Sequence, residues 1–287
     1  MKQENHRLRG LLAIVGTATV IAVSGTSAMA KAPCGELGEC KALVEINSSD
    51  GDIGFHFLMD GDDLIEAKVK RPDGSTVFQA GARRELRYQK MTEIFVESAE
   101  PLCFDPLTDE DPDNDDEDFV TLDDFLARWD KGEYKFIGVT EDASSYNQTK
   151  LRFNLPAAPA NLSFDPLTGI ISWDAGTDLG ACATTAELDD LVTAGDLPKH
   201  PQNVVVAAWE VVLLPDVDDG DPLAALEFSV RVPGDIAVTE IEVPASYLAA
   251  LPDDILMKGE VGAIGVGDNA TFTEFQGVCV NEVLGCQ

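Results

Sequence analysis

Short runs of alternating apolar and polar residues constrain the fold of this chain more than any other feature. A period of two places successive side chains on opposite faces of a strand, so each run predicts a strand with one buried face. The clearest runs are ALVEI (42–46), IGFHFLM (53–59), LIEAKVK (64–70), STVFQA (75–80), TEIFVESA (92–99) and YKFIGVT (134–140). Turn signals separate them, including Asp50-Gly51, Asp60-Gly61 and Pro72-Asp73-Gly74. This pattern predicts an all-β fold of the sandwich type.

The segment LPAAPANL, residues 155–162, is the clearest candidate for a domain boundary. Its prolines lack amide donors and hold an extended path, as in a short stiff linker. The boundary predicts two tandem β-sandwich domains, residues 31–154 and 155–287, each large enough for its own core.

The first thirty residues have the composition of a signal peptide. A charged start with Lys2, Arg7 and Arg9 precedes an apolar stretch, 11–23, and the small-residue sequence Ala28-Met29-Ala30. The apolar stretch is shorter than the roughly 20 residues that span a bilayer, and no longer one follows. We therefore expect cleavage after residue 30, no membrane span, and a secreted or periplasmic protein.

Acidic residues dominate the charge of the chain. It contains 52 Asp and Glu against 20 Lys and Arg, for a formal net charge of -32. A field of this sign repels nucleic-acid phosphates and anionic lipids, so neither is an expected partner. The expected partners are an extracellular protein or a polysaccharide.

The six cysteines predict disulfides, because an even number in a secreted chain is typical of an oxidised protein. Fifteen pairings are possible. The close pairs Cys34/Cys40 and Cys279/Cys286 can each close a short loop, which leaves Cys103 to join Cys182. The connectivity stays open at this point.

An acidic stretch, DNDDEDFVTLDDF (113–125), is the candidate metal site. Its spacing approaches that of a calcium-binding EF-hand loop, although Asp118 stands where that loop has glycine. The candidate ligands are Asp113, Asp115, Glu117, the carbonyl of Phe119, Thr121 and Asp124.

A simpler interpretation of the same stretch is a capped helix behind a solvated acidic loop. Thr121 and Asp124 match a capping box, and the apolar residues of LDDFLARW (122–129) recur at helical spacing. This predicts one short helix in the first domain. The two interpretations are compatible.

Catalytic motifs are lacking in the sequence, so we do not expect an enzyme. His56 lies in an alternating run and His200 in a proline-flanked loop, and neither accompanies a recognisable nucleophile motif. Trp129, Trp173 and Trp209 fit core positions.

From residue 155 onward the sequence resembles a fibronectin type III domain. The resemblance rests on PANLSFDPLTGIISWD, which ends at Trp173 and Asp174, on VTEIEVPASYLAAL (238–251), and on MKGEVGAIGVGDNATFTEF (257–275). It implies an immunoglobulin-like sandwich for the second domain. Two departures are an insertion, about 175–202, with a short capped helix in TTAELDDLV, and a missing tyrosine near Met257.

The whole arrangement resembles secreted bacterial proteins that contain a fibronectin type III domain, a likeness that implies no activity. We therefore expect a secreted, non-catalytic binding or adhesion protein with an unknown ligand. The alternatives are a calcium-stabilised extracellular spacer and a polysaccharide-acting enzyme.

Overall fold

A computed structural model describes residues 37–104, 119–218, 220–236 and 238–282. Fourteen strands lie within these ranges: β1 Glu39–Asn47, β2 Asp52–Leu64, β3 Glu66–Lys70, β4 Thr76–Gly81, β5 Met91–Glu97, β6 Gly132–Val139, β7 Ser144–Leu151, β8 Ala160–Asp165, β9 Ile170–Asp174, β10 Val206–Pro215, β11 Phe228–Pro233, β12 Glu240–Glu242, β13 Ile255–Gly265 and β14 Ala270–Val280. Four short α-helices accompany them: α1 Arg84–Gln89, α2 Leu122–Arg128, α3 Thr185–Ala194 and α4 Ala245–Leu248. The fold is all-β, as the alternation predicts.

Three sheets organise the strands. The largest has seven strands in the order β11-β10-β13-β14-β1-β2-β5, and two smaller sheets have the orders β4-β3-β6-β7 and β12-β9-β8. Within the large sheet β1 and β14 pair in parallel, whereas its other strand pairs are antiparallel. Strands from both sides of residue 155 therefore belong to one sheet.

The first core lies between the β1–β2 half of the large sheet and the four-stranded sheet. Alternate residues of β1, from Cys40 to Ile46, are buried together with Phe55 and Phe57 of β2 and with Tyr134 and Phe136 of β6. Phe55 stacks on Trp129 with a ring-centroid distance of 3.9 Å. Helix α2 closes this core with Leu122, Phe125 and Leu126.

The second core joins the three-stranded sheet to the β10–β13 half of the large sheet. Trp173 and Trp209, with ring centroids 5.7 Å apart, lie at its centre among Ile171, Val211 and Val261. The tryptophan predictions are confirmed, since Trp173 and Trp209 are buried and Trp129 packs against the first core.

The proline segment at residue 155 is buried rather than exposed. Leu155, Ala157 and Ala158 are each less than a tenth exposed. Thr271 of β14 donates a hydrogen bond to the Pro156 carbonyl, and Asn269 donates to the Arg152 and Asn154 carbonyls while its Oδ1 accepts from the Val44 amide. The division into two domains here stays a prediction; the segment itself is packed against the shared sheet.

Two predicted helix starts are confirmed. At the start of α3 the Glu187 carboxylate accepts hydrogen bonds from the amide and the hydroxyl of Thr184, and Gly195, with a left-handed φ of 87°, follows the last residue of the helix. At α2 the Thr121 side chain accepts a hydrogen bond from the Asp124 amide. The expectation of a single short helix before residue 155 is wrong, because α1 is a second one, and it has no buried residue that a periodic apolar pattern would reveal.

The turn predicted at Asp60-Gly61 is wrong. Strand β2 continues through both residues to Leu64, and the irregularity lies instead in its pairing with β5, where the register shifts between Asp60 and Leu64. A bulge thus uses the same residue types as a hairpin turn. The turns at Asp50-Gly51 and at 72–74 are confirmed, with positive φ at Gly51 and Gly74.

Cys103 and Cys182 form a disulfide that joins residues 79 positions apart. This confirms the pairing that the spacing suggested. Cys40 and Cys279 are also disulfide-bonded. Their expected partners, Cys34 and Cys286, lie outside the described residues.

None of the helices within the described ranges is long and apolar enough to cross a membrane.

Candidate functional site

One face of the seven-stranded sheet packs on the two cores, and the opposite face, here called the open face, lines a cleft of about 410 Å³. The alternation of β1 divides its residues between the faces: Ala42 and Val44 face the core, whereas Lys41, Leu43 and Glu45 face the cleft. The cleft is lined by Lys41, Leu43, Glu45, His56, Leu58, Phe95, Glu97, Glu100, Glu210, Val212, Arg231, Glu260, Ile264, Asp268, Ala270 and Phe272.

The cleft is strongly acidic. Six of its lining residues are Asp or Glu, and two, Lys41 and Arg231, are Lys or Arg. Arg231 pairs with Glu210 on the neighbouring strand, and Lys41 lies 2.7 Å from the Glu39 carboxylate. The apolar side chains of Leu43, Leu58, Phe95 and Phe272 lie among the carboxylates, so the surface combines negative charge with apolar area.

His56 lies at the β1–β2–β5 end of the cleft between two carboxylates. Its Nδ1 is 3.9 Å from the Glu45 Oε2, and its Nε2 is 3.5 Å from the Glu100 Oε1. The histidine is 5% exposed, and its Nε2 has no hydrogen-bond partner. Donor atoms from Glu45, His56 and Glu100 all lie within 4.8 Å of one another.

Gly54 makes this arrangement possible. It faces Glu45 across the β1–β2 pair, and a Cβ at this position would lie 2.6 Å from the Glu100 Oε1 and 3.1 Å from the His56 Nε2. The absence of a side chain thus lets the Glu100 carboxylate lie over β2 and reach the imidazole.

The neighbouring charges shift the pKa values of this cluster. Burial lowers the pKa of His56, but Glu100, Glu45 and Glu97 raise it by more, so the net shift is upward. Burial raises the pKa of Glu45, and Glu100 and Glu97 add to this effect while His56 opposes it.

Glu260 of β13 is the most perturbed carboxyl in the cleft. Burial, followed by repulsion from Glu274, Glu45 and Glu210, raises its pKa to about 8. Near the β1–β2 turn, burial and repulsion from Glu100 raise the pKa of Asp52 to about 6. Near neutral pH Glu260 therefore holds its proton, and the other acidic side chains supply the negative charge of the cleft.

Three of the six candidate ligands of the predicted calcium loop lie outside the residues that the structure describes. Asp113, Asp115 and Glu117 lie outside the described residues. Phe119 is 39% exposed, and Thr121 and Asp124 form the start of α2. The described part thus shows the capped helix, while calcium binding by the loop stays a prediction.

Sequence reasoning missed the cluster at His56, although part of it was within reach. A hairpin with its turn at Asp50-Gly51 places Leu43 opposite His56 and Glu45 opposite Gly54, so Glu45 and His56 share one face. Glu100 reaches the cluster from beyond β5, a contact for which the sequence gives no signal.

The tyrosine that the resemblance to a fibronectin type III domain places near residue 257 is absent, and Met257 occupies this position. Met257 is fully buried in β13. Tyr247 of α4 instead donates from its hydroxyl to the Leu213 and Leu226 carbonyls, at 2.8 and 2.9 Å. It ties the connection before β13 back to the end of β10.

No family model matches the sequence, and no curated protein matches it. A similar solved structure is titled "Biofilm associated protein - BSP domain", with 12% sequence identity and a TM-score of 0.22. The match covers 87% of this chain and 30% of that chain. At this distance the likeness assigns neither a fold family nor a function.

Proposed function

We propose that this protein is a non-catalytic binding module outside the cytoplasm, whose open face binds a basic surface of an extracellular protein. The acidic cleft carries the proposal: six acidic residues, two basic side chains and exposed apolar area share one sheet face. Complementary charge speeds association and sets orientation, while buried apolar contacts provide affinity.

A fibronectin type III sandwich in the region after residue 155 is part of the proposal. Strands β8, β9 and β12 form one sheet, and β11-β10-β13-β14 are consecutive in the other. In chain order this matches strands A, B and E against C, C′, F and G of immunoglobulin-like sandwiches. The Tyr247 hydroxyl, bonded upstream just before β13, resembles the tyrosine corner of such folds.

An extracytoplasmic location is supported by the disulfides and the leader-like first thirty residues. Cys103–Cys182 and the oxidised Cys40 and Cys279 fit an oxidising compartment. Secretion or export to the periplasm therefore accompanies the proposed binding role.

A peptide array tests the binding proposal. The probes are immobilised peptides that alternate lysine with valine, and the matched controls replace lysine with serine or with glutamate. We expect the lysine peptides to bind, and the affinity to fall with added salt because exposed charges are screened.

Two double variants of equal net charge locate the binding surface. Glu97→Gln with Glu210→Gln changes the open face, whereas Glu133→Gln with Asp189→Asn changes exposed positions elsewhere. We expect the first pair to weaken binding by about five- to tenfold and the second by less than about twofold. Equal losses of affinity in the two double variants would show that binding depends only on net charge, and would contradict binding at the open face.

A polysaccharide-acting hydrolase is a second candidate, favoured by the raised pKa of Glu260. A carboxyl that holds its proton near neutral pH can act as a general acid. Incubation with neutral or amino-sugar polysaccharides tests this candidate. Hydrolysis by the wild type that Glu260→Gln abolishes would establish it. No hydrolysis by a protein that still binds the peptide supports the binding module.

The calcium-stabilised spacer remains the other alternative, and it rests on the loop at 113–124. Melting temperatures in chelator, in calcium and in magnesium test it. A calcium-selective rise that Asp113→Ala with Asp115→Ala removes would establish a calcium loop; equal effects of both ions would leave a capped helix behind screened charge.

A further inference from the structure

We infer that Glu45, His56 and Glu100 form a binding site for a divalent transition-metal ion, with zinc the ion that best suits these donors. The site is separate from the acidic loop at 113–124. It also stands independently of the proposed function, because it requires no macromolecular partner.

The unpartnered imidazole nitrogen is the observation that points to a ligand. His56 is 5% exposed, yet its Nε2 has no hydrogen-bond partner and faces the Glu100 carboxylate at 3.5 Å. Buried polar atoms in folded proteins nearly always make a hydrogen bond, so a buried nitrogen that makes none and lies beside a carboxylate calls for an explanation. A coordinated ion supplies the missing partner.

The spacing of the donors suits an ion of this kind. Zinc binds imidazole nitrogen and carboxylate oxygen at about 2.0–2.2 Å, so two of its ligands are at most about 4.4 Å apart. The three donors here lie within 4.8 Å of one another. The Glu100 side chain is 33% exposed, so it has room to rotate toward an ion bound at His56.

The donor chemistry separates zinc from calcium. Imidazole is a borderline ligand that suits zinc and similar ions, whereas calcium requires six to eight oxygens. Two carboxylates and one neutral imidazole balance the charge of a divalent ion. Three protein ligands leave a coordination position for water or a partner's side chain.

The local backbone is built for this contact. Gly54 is the residue over which Glu100 lies, and a Cβ there would meet the carboxylate at 2.6 Å. Gly54→Ala therefore keeps all three ligands in the chain but displaces one of them.

Imidazole ¹H–¹⁵N spectra of the full chain, treated with chelator and then titrated with zinc, test the site. The protein has three histidines, His6, His56 and His200. His200 is a matched internal control, because it is 6% exposed and its Nε2 also lacks a hydrogen-bond partner. We expect saturable shifts of His56 at one equivalent of zinc, unchanged His200 signals, and no such change with calcium at the same concentration.

Variants define the ligands by equilibrium dialysis with zinc. Glu100→Gln and Gly54→Ala should each weaken zinc binding by at least about tenfold. Glu97→Gln, which removes a nearby charge but no proposed ligand, should weaken it by less than about threefold. Near-ultraviolet circular dichroism checks that each variant folds. Of the two substitutions, Glu100→Gln should disturb folding less, because the Glu100 side chain is partly exposed.

Three results would overturn the inference. They are unchanged His56 signals on addition of zinc, equal shifts of His56 and His200, and equal zinc affinities of wild type and folded Glu100→Gln. The first result would leave His56 as an imidazole held between two carboxylates without a bound ion.

Discussion

At the residue scale, the open face owes its properties to a few side chains whose surroundings change their chemistry. Glu260, Glu45 and His56 are ordinary titratable residues in the sequence, and burial together with neighbouring charges shifts their pKa values. The sequence shows their identity and, for β1 and β2, their shared face. It gives no means of predicting that Glu274 and Glu210 approach Glu260 from other strands, because that depends on long-range strand order.

Glu260 should make the stability of the protein fall as the pH rises. Its pKa in the folded state is raised from 4.5 to about 8, so in this range the folded state binds more protons than the unfolded state. The stabilisation is complete below the unfolded pKa and is lost as the pH approaches about 8. Glutamine does not titrate, so in Glu260→Gln the free energy of unfolding should lose about 2 kcal/mol less than in wild type as the pH rises through this range. This figure is smaller than a shift of this size would give at about 1.4 kcal/mol per pKa unit, because solvent screens a partly exposed group.

Urea denaturation at several pH values measures this pH dependence of stability. A chelator is present so that no bound cation alters the charge of the cleft. Glu133→Gln, at an exposed position on β6, is the control and should retain the wild-type slope. A Glu260→Gln variant with the wild-type slope would contradict the raised pKa.

At the element scale, the sequence predicts local structure well where one physical signal is decisive. The alternating runs became β1 to β6, and Thr184-x-x-Glu187 became the cap of α3. The turn predicted at Asp60-Gly61 was wrong, because β-bulges and turns favour the same residue types. The sequence could not predict the parallel pairing of β1 with β14, because paired residues such as Glu45 and Ala270 are 225 positions apart in the chain.

Tyr247→Phe should destabilise the connection between β12 and β13. The hydroxyl donates to two carbonyls, of Leu213 and Leu226, in a partly buried position. Its loss removes these hydrogen bonds from a partly buried position, so we expect a decrease of about 1–2 kcal/mol in the free energy of unfolding. Tyr88→Phe serves as the control because Tyr88 is 87% exposed, and it should change the free energy by less than about 0.5 kcal/mol. Equal effects of the two substitutions in urea titrations would argue against a structural role of the Tyr247 hydroxyl.

At the scale of the whole molecule, one seven-stranded sheet connects two hydrophobic cores. The first core includes Leu179, Leu188 and Leu197 from beyond residue 155, so the insertion predicted in the second domain packs on the first core. The Cys103–Cys182 disulfide fastens the same insertion. Composition and proline content indicated a boundary here, whereas burial of Leu155 and the shared sheet depend on tertiary packing.

Removal of this disulfide should destabilise the protein as a whole. Cys103→Ser with Cys182→Ser releases a constraint between residues 79 positions apart, which in the chain-entropy model is worth about 4 kcal/mol. Thermal and urea unfolding under oxidising conditions should both shift to milder conditions. An unchanged midpoint would show that the packing of α3 on the first core holds the insertion without the bond.

Unfolding should be a single transition for both cores. Strands β1 and β14 join them within one sheet, so separation of the cores breaks backbone pairing. Calorimetry and tryptophan fluorescence should give coincident midpoints. Two separate transitions would instead favour the tandem arrangement predicted from the sequence.

The central claim is that the open face of the seven-stranded sheet is the binding surface, and amide chemical-shift mapping with the lysine–valine peptide tests it most directly. We expect the perturbed amides to cluster on the strands that line the cleft, β1, β2, β5, β10, β13 and β14. At the same peptide concentration, the perturbations should be smaller in Glu97→Gln with Glu210→Gln. Perturbations that cluster on β4, β7 or the three-stranded sheet, or that persist unchanged in the double variant, would contradict the claim.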